Sequence, residues 1–300
     1  MQRFFLPLMF ACYGSCFALY AAEEEFVTEG VPDFVTGLAD DAEVPEVPEL
    51  FRDDALLDDS HANRELGVNV YTSPSIAKIF AQLEDLPPVP DDYVLRKRSP
   101  RISTASGKVA LEMGFLLADG FIAVCSGYMN DVKPIALELN RYGRALGVGG
   151  KMEAHSAALL EQAEKGNKRR FKKILTGTQS DVNAELADLG DPDLAHLIAL
   201  GGWVRAYEAS TAALCEEFSV EDAAIVFYPD APDYFSAILR GIDPATARKL
   251  EIEQMCALLD ELTRLMTLEE GEVPTLEKVQ QLRAVTGKLA ELMVGAEYAH

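Results

Sequence analysis

Between Lys108 and Gly127 the chain reads KVALEMGFLLADGFIAVCSG, an apolar run interrupted inside only by Glu112 and Asp119. Wound as a helix it is apolar on almost every face, which predicts a central helix enclosed by others. Ala110, Gly114 and Ala118 recur every four residues and form a ridge of small side chains, along which a partner helix is expected to approach closely. The expected partner is DPDLAHLIALGGWVRAYEASTAALCEEF, where Ala195, Ala199, Gly202, Ala206, Ala209 and Ala213 make a seam at spacings of four and three. Gly201 and Gly202 in mid-helix each cost about 1 kcal/mol relative to Ala, a cost that close backbone packing would offset.

The rest of the pattern is helical. SPSIAKIFAQLEDL has Ser73 as a cap, Pro74 at the first helical position and Ile76, Ile79, Phe80 and Leu83 on one face. LPPVPDDY then breaks the chain. After the central helix come VKPIALELNRYGRALGV, GKMEAHSAALLEQAEKG and KRRFKKILTGTQSDVNAELADL, and Asp191–Pro192 opens the small-residue helix. Ser219 with Asp222 resembles a capping box, APDYFSAILRG follows, Asp243–Pro244 is expected to open the long ATARKLEIEQMCALLDELTRLM, and Thr275 opens a last helix. No alternating apolar run argues for a strand. The expected fold is all-α: an array of about nine or ten mostly antiparallel helices around a buried central helix, the short breaks favouring antiparallel neighbours.

Glu112 and Asp119 are seven residues apart and share one stripe of the central helix. A buried carboxylate needs a partner or a proton, and the group best placed to supply one is Arg205. Two readings of this Glu112, Asp119 and Arg205 cluster stand side by side: an ion pair that fixes helix register, and a ligand-binding carboxylate or guanidinium.

ADGF in the central helix, RALGVGGK after it and LGGWVR in the small-residue helix resemble stretches of a group of uncharacterised bacterial secreted all-helical proteins. The resemblance covers roughly residues 109–214. It implies an all-α fold and an envelope address; its motifs are packing motifs and bring no activity.

The first 22 residues carry Arg3, an apolar stretch from Phe4 to Tyr20 and small residues, followed at once by Glu23, Glu24 and Glu25. That layout is expected to be a secretory signal peptide cleaved after Ala21 or Ala22, giving a secreted or periplasmic protein with an acidic disordered or extended segment at 23–67 and a helical domain at 68–300. Of the formal charge of −22, the larger part sits between Glu23 and Asp59, where fourteen acids meet only Arg52. The remainder is moderately acidic, which disfavours nucleic acid as a partner. Cleavage leaves Cys125, Cys215 and Cys256; a Cys125–Cys215 disulfide would need the two small-residue helices to run parallel. A bilayer-spanning reading of Val109–Cys125 conflicts with Asp119 near its centre, at roughly 2.5 to 3.5 kcal/mol, so no integral membrane segment is expected after signal removal.

Candidate chemistry is thin. Asp193 and His196 have the i, i+3 spacing of half a di-iron motif, but Glu153 and His155 are two apart and diverge, so neither metal nor cofactor is expected. LGVGGK lacks the pattern of a phosphate loop. Two basic clusters remain, Arg96, Lys97, Arg98 and Arg101, then Lys165, Lys168, Arg169, Arg170, Lys172 and Lys173. Both are expected on the surface, as a solvated face or as a site for an anionic envelope component or another protein. The expected function is a binding or scaffold module without catalysis; the alternative is a hydrolase or metal-dependent enzyme using the carboxylate and arginine cluster in a helical cleft.

Overall fold

The computed structural model describes residues 76–83 and 85–299; the signal peptide and acidic segment read from the sequence, and the Ser73–Pro74 helix start, lie outside them. Among the described residues there is no strand, and the helices are α1 (Ile76–Leu83), a single turn α2 (Asp91–Val94), α3 (Ser106–Cys125), α4 (Val132–Ala145), α5 (Gly149–Glu164), α6 (Lys168–Asp188), α7 (Pro192–Glu216), α8 (Val220–Val226), α9 (Asp230–Gly241), α10 (Ile252–Met266) and α11 (Leu276–Val294). No described helix is long and apolar enough to cross a membrane.

Local chemistry sets many of the ends. Asn167, Ser219 and Thr275 each accept a backbone N–H three residues on, from Arg170, Asp222 and Lys278, and so satisfy donors that a helix start leaves orphaned. Pro192 sits in the first turn of α7, but Asp191 makes no side-chain cap there. Asp243 does not open a helix that runs through to α10. Its Oδ2 accepts from the N–H groups of Ala245 and Thr246, which closes a short run of turns, and Lys249 then adopts φ 68°. A lysine in the left-handed region ends any helix there, so α10 begins only at Ile252.

Two central helices, rather than one, organise the molecule. α3 and α7 are buried along almost their whole lengths and pack chiefly on each other. α4 folds back on α3, with Tyr142 opposite Glu112 and Ile135 beside Gly120; α5 folds back on α4, with Ser156 Oγ donating to the Ala136 carbonyl at 2.7 Å. α6 returns against α3 and α7, while α9, α10 and α11 pack in sequence, α11 closing onto α7. Alternation of direction through α4, α5 and α6 leaves α3 and α7 parallel: Leu111 faces Gly201, Gly114 faces Ile198 and Gly202, and Asp119 meets Arg205.

The contact is backbone on backbone. A Cβ added to Gly114 would lie 2.0 Å from the Ile198 carbonyl oxygen, and one added to Gly201 would lie 2.2 Å from the Leu111 carbonyl oxygen. Its neighbour Gly202 has a second role: the space its side chain would take is filled by Ile76 of α1, at 2.3 Å. α1 is anchored there from its start, since the Ile76 N–H donates to Gln179 Oε1 of α6 at 2.8 Å. Ile79 and Phe80 complete its buried face, Phe80 stacking on Phe121 with centroids 4.9 Å apart. Ala110 and Ala118 are fully buried on α3.

Gly114→Ala must force the two backbones apart and is expected to cost about 3 kcal/mol, seen as a fall in melting temperature of about 6 °C or more. Gly287→Ala in α11, where an added methyl meets nothing within 4 Å, is expected to leave the melt unchanged or raise it by up to about 1 kcal/mol in stability. Calorimetry on the two variants checks both; a Gly114→Ala protein melting with the parent would mean that the helices are not in backbone contact.

Candidate functional site

One turn past the glycines, Arg205 is the largest fully buried side chain, with no exposed surface. Its Nε donates to Asp119 Oδ1 and its Nη1 to Glu208 Oε2, both at 2.8 Å, while Nη2 donates to the Tyr93 carbonyl of α2. Burial opposes the charge on Arg205, but Asp119 and Glu208 outweigh it and hold the guanidinium above its usual pKa. Asp119 has a second cation. Arg96 Nε lies 2.8 Å from its Oδ2 as an ion pair, although the N–H points too far off the oxygen to count as a hydrogen bond.

Arg96 is therefore not part of a surface patch. It is buried, donates through Nη1 to the Tyr298 carbonyl at 3.0 Å and rests 5.1 Å from the centre of the Phe115 ring, an arrangement in which a flat guanidinium gains from both a carboxylate and an aromatic face. The pair at the chain's centre is thus a four-membered alternation, Arg96, Asp119, Arg205 and Glu208, with no net charge. Charges buried this way are held by one another, and removing one leaves its partners uncompensated.

Glu112 does not join this group. It accepts from the Tyr142 hydroxyl of α4 at 2.8 Å. Burial raises its pKa, and the Tyr142 hydrogen bond, Lys108 and Arg96 only partly lower it again. Asp119 borders a cavity of about 90 Å³ and Glu112 a separate void of about 10 Å³, so the two carboxylates do not flank a common space. His196 lies elsewhere on α7, its Nδ1 2.9 Å from the Tyr234 hydroxyl, and burial lowers its pKa. Asp193 accepts the Asp243 N–H, and its charge offsets only part of that lowering. Among the described residues no three His, Cys, Asp or Glu side chains are grouped as a metal ion would require.

A cavity of about 460 Å³ lies between the loop Leu86–Val89 and the C-terminal halves of α3 and α7. Its floor is Ala206, Ala209, Ser210 and Ala213, its sides include Phe80, Ile122 and Val89, and Cys125, Ser126, Asp91 and Lys172 stand around it. Asp91 is engaged by the Tyr128 hydroxyl at 2.6 Å. Its size is that of a small-molecule site, and so is its lining, mostly apolar with a few polar groups. The second basic cluster adjoins it: Lys168, Arg169, Arg170 and Lys173 are exposed on the first turns of α6, Lys172 is half-buried, and Lys168 Nζ lies 3.7 Å from where a side chain on Gly127 would begin. Of the first cluster, Lys97 and Arg101 are exposed, and Arg98 is half-buried beside Glu138 at 3.2 Å. Lys165 pairs with Glu161 on α5.

Cys125, Cys215 and Cys256 are thiols. The parallel helices a Cys125–Cys215 disulfide would need are present, but Cys125 stands at the cavity while Cys215 interacts with Arg283 of α11.

Reading the sequence pairs Arg205 with Asp119 but misses Glu208 on Arg205, Arg96 on Asp119 and Tyr142 on Glu112. Glu208 was detectable, three residues on and on the same helical face. Arg96 sits in a loop among other cations, and Tyr142 in an ordinary amphipathic helix, so neither carries a periodic signal.

Asp119→Asn strands two guanidiniums and is expected to cost about 3 to 5 kcal/mol, read by urea titration. Glu112 behaves oppositely. Its pKa is raised in the folded state, so the folded protein holds that proton more tightly than the unfolded chain, and its contribution to stability falls as pH rises from about 4.5 through the folded value. Glu112→Gln keeps an acceptor for Tyr142 without the charge. It is expected to melt above the parent at pH 8, with the advantage shrinking towards pH 4.5; parallel melting curves across that range would exclude a buried, titrating Glu112.

Comparison of the chain with protein-family models, with curated proteins and with solved structures gives no match.

Proposed function

We propose that this is a secreted or periplasmic helical binding module that performs no chemistry of its own and takes its ligand in the groove between Leu86–Val89, α3 and α7. The observation that carries the reading is the separation of charge from space. The buried ionised groups around Arg205 are spent on each other, whereas the 460 Å³ cavity is floored by Ala206, Ala209 and Ala213 and walled by Phe80 and Ile122. A hydrolase needs its acid, base and stabilising cation to converge on the substrate's volume; here Asp119 and Glu112 border different small voids. An apolar groove with few polar groups suits binding by burial of hydrocarbon surface. The apolar leader followed by acids supports the address, and so does the resemblance of ADGF and LGGWVR to helical envelope proteins.

A neutral apolar dye, N-phenyl-1-naphthylamine, is expected to bind the full chain saturably at one molecule per chain. Ala209→Leu, which fills the floor, is expected to weaken it at least tenfold and to lower the melting temperature by a few degrees; Val89→Asp at the lip weakens it likewise without touching the helix seam. Fluorescence titration reads both. Dye uptake that is absent, or indifferent to both substitutions, removes the groove as the binding site.

A further inference from the structure

We infer that the cleft between α11, Tyr93 and Glu208 is a second binding site, and that it takes a small monovalent carboxylate whose oxygens face Arg283. It is separate from the groove and does not rest on it.

The cleft has a volume of about 330 Å³, at the lower end of the range for small-molecule sites. Its α11 wall includes Gln280, Ala284, Gly287 and Glu291, which recur at intervals of four and three and so share one helical face. A glycine inside a helix is less stable there than alanine. Gly114, Gly201 and Gly202 offset that by close packing, but a Cβ on Gly287 would meet nothing within 4 Å. What Gly287 leaves open is the cleft itself, and it presents bare backbone there, the condition under which a ligand can lie close against a helix.

Among the residues that line the cleft, the charges are matched except at one. Glu208 accepts from Arg205 through Oε2, within the neutral group of four. Glu291 has Lys288 three residues before it on the same helix. Arg283 has neutral partners: the Tyr93 hydroxyl, the Tyr93 ring and Cys215. The Tyr93 hydrogen bond first, and Cys215 after it, raise its pKa against the effect of burial, and no carboxylate stands among these causes. Cys215 lies in the last turn of α7, so the negative end of that helix, equivalent to about half a charge, also acts on Arg283, but through a residue that does not line the cleft. The balance on the cleft side stays positive. A guanidinium carries five N–H donors in a planar fork, more than a hydroxyl and a thiol take up, and the fork matches the two oxygens of a carboxylate. One negative charge restores the balance; a second, as on phosphate or a dicarboxylate, would stand against Glu208 and Glu291.

The experiment titrates the full chain with benzoate, benzamide, butanoate, succinate and inorganic phosphate. Saturation-transfer NMR and competition between the probes read binding, and peptide mass mapping reads the rate at which phenylglyoxal modifies Arg283. Benzoate is expected to bind at least tenfold more tightly than its neutral isostere benzamide and to slow modification of Arg283, with succinate and phosphate no tighter than butanoate. Arg283→Gln is expected to bring benzoate down to benzamide, and Arg283→Lys, which keeps the charge and loses the fork, to fall between. Gly287→Leu, which fills the cleft and leaves Arg283 in place, is expected to weaken benzoate at least tenfold without lowering the melting temperature. None of these changes is expected to alter uptake of the neutral dye by the groove.

Equal binding of benzoate and benzamide overturns the carboxylate assignment, and tighter binding of phosphate than of any monocarboxylate overturns the single charge. Absence of binding by every probe, with Arg283 modified at one rate throughout, removes the site. Protection of Arg283 is read on the unmutated protein, so a variant that fails to fold does not decide the outcome. Because the dye reports on the groove alone, either site can fail while the other stands.

Discussion

The structure depends on the contact between two backbones, at Gly114 of α3 and Gly201 of α7, where not even a methyl group would fit between the helices. At that separation side chains near the crossing have no route to water. Arg205 lies one turn beyond Gly201, and Asp119 lies five residues beyond Gly114, so the two ionised groups are carried into the dry zone by the same parallel alignment that makes the crossing possible. Their pairing is a consequence of the close approach. The cost of burying them is large, and the structure meets it by recruiting Glu208 from the same helix and Arg96 from the segment after α2 until the charges cancel.

That recruitment explains why a single-turn helix and an irregular stretch are held firmly in place. The Tyr93 carbonyl takes a hydrogen bond from Arg205, its hydroxyl takes one from Arg283, and the Arg283 guanidinium lies 4.9 Å from the centre of its ring. Val94, next in the chain, is fully buried. A loop of this composition would ordinarily run over the surface; here it is drawn in because the central guanidinium has more donors than the helices can satisfy. The same ties position the loop Leu86–Val89 just before it, one side of the groove.

The sequence made the helices legible because their signals are local: runs of period 3.6, Ser219 and Thr275 as caps, and Pro192 in a first turn. The crossing was legible as well, since small residues at spacings of four and three on two separate helices have few other uses. The stretch from Pro244 to Leu250 was not, because Asp243 followed by Pro244 is the signature of a helix start, and the left-handed Lys249 that stops it leaves no mark in composition. Arg96 was misplaced for a related reason. In RKRSPR the arginine that goes inside and those that stay outside are chemically alike, and only the position of Asp119 in three dimensions separates them. The parallel relation of α3 and α7 follows from counting four reversals between them, a topological fact that no local pattern states.

The groove lies where α3 comes to its end. α3 has 20 residues and α7 has 25. Aligned in parallel with Gly114 at Gly202 and Asp119 at Arg205, α3 ends at Cys125, with Ala213 of the small-residue seam of α7 still to come. Where both helices are present, the seam admits a backbone; at the end of α3, Ala209, Ser210 and Ala213 border the cavity together with Cys125 and Ser126. Large residues at these positions would have filled the gap and closed it. Small ones leave a trough with α6, the Leu86–Val89 loop and Phe80 of α1 around it. One sequence pattern therefore does two physically different things along a single helix: it brings a neighbour to van der Waals distance where that neighbour exists, and it leaves a ligand-sized space where the neighbour has stopped.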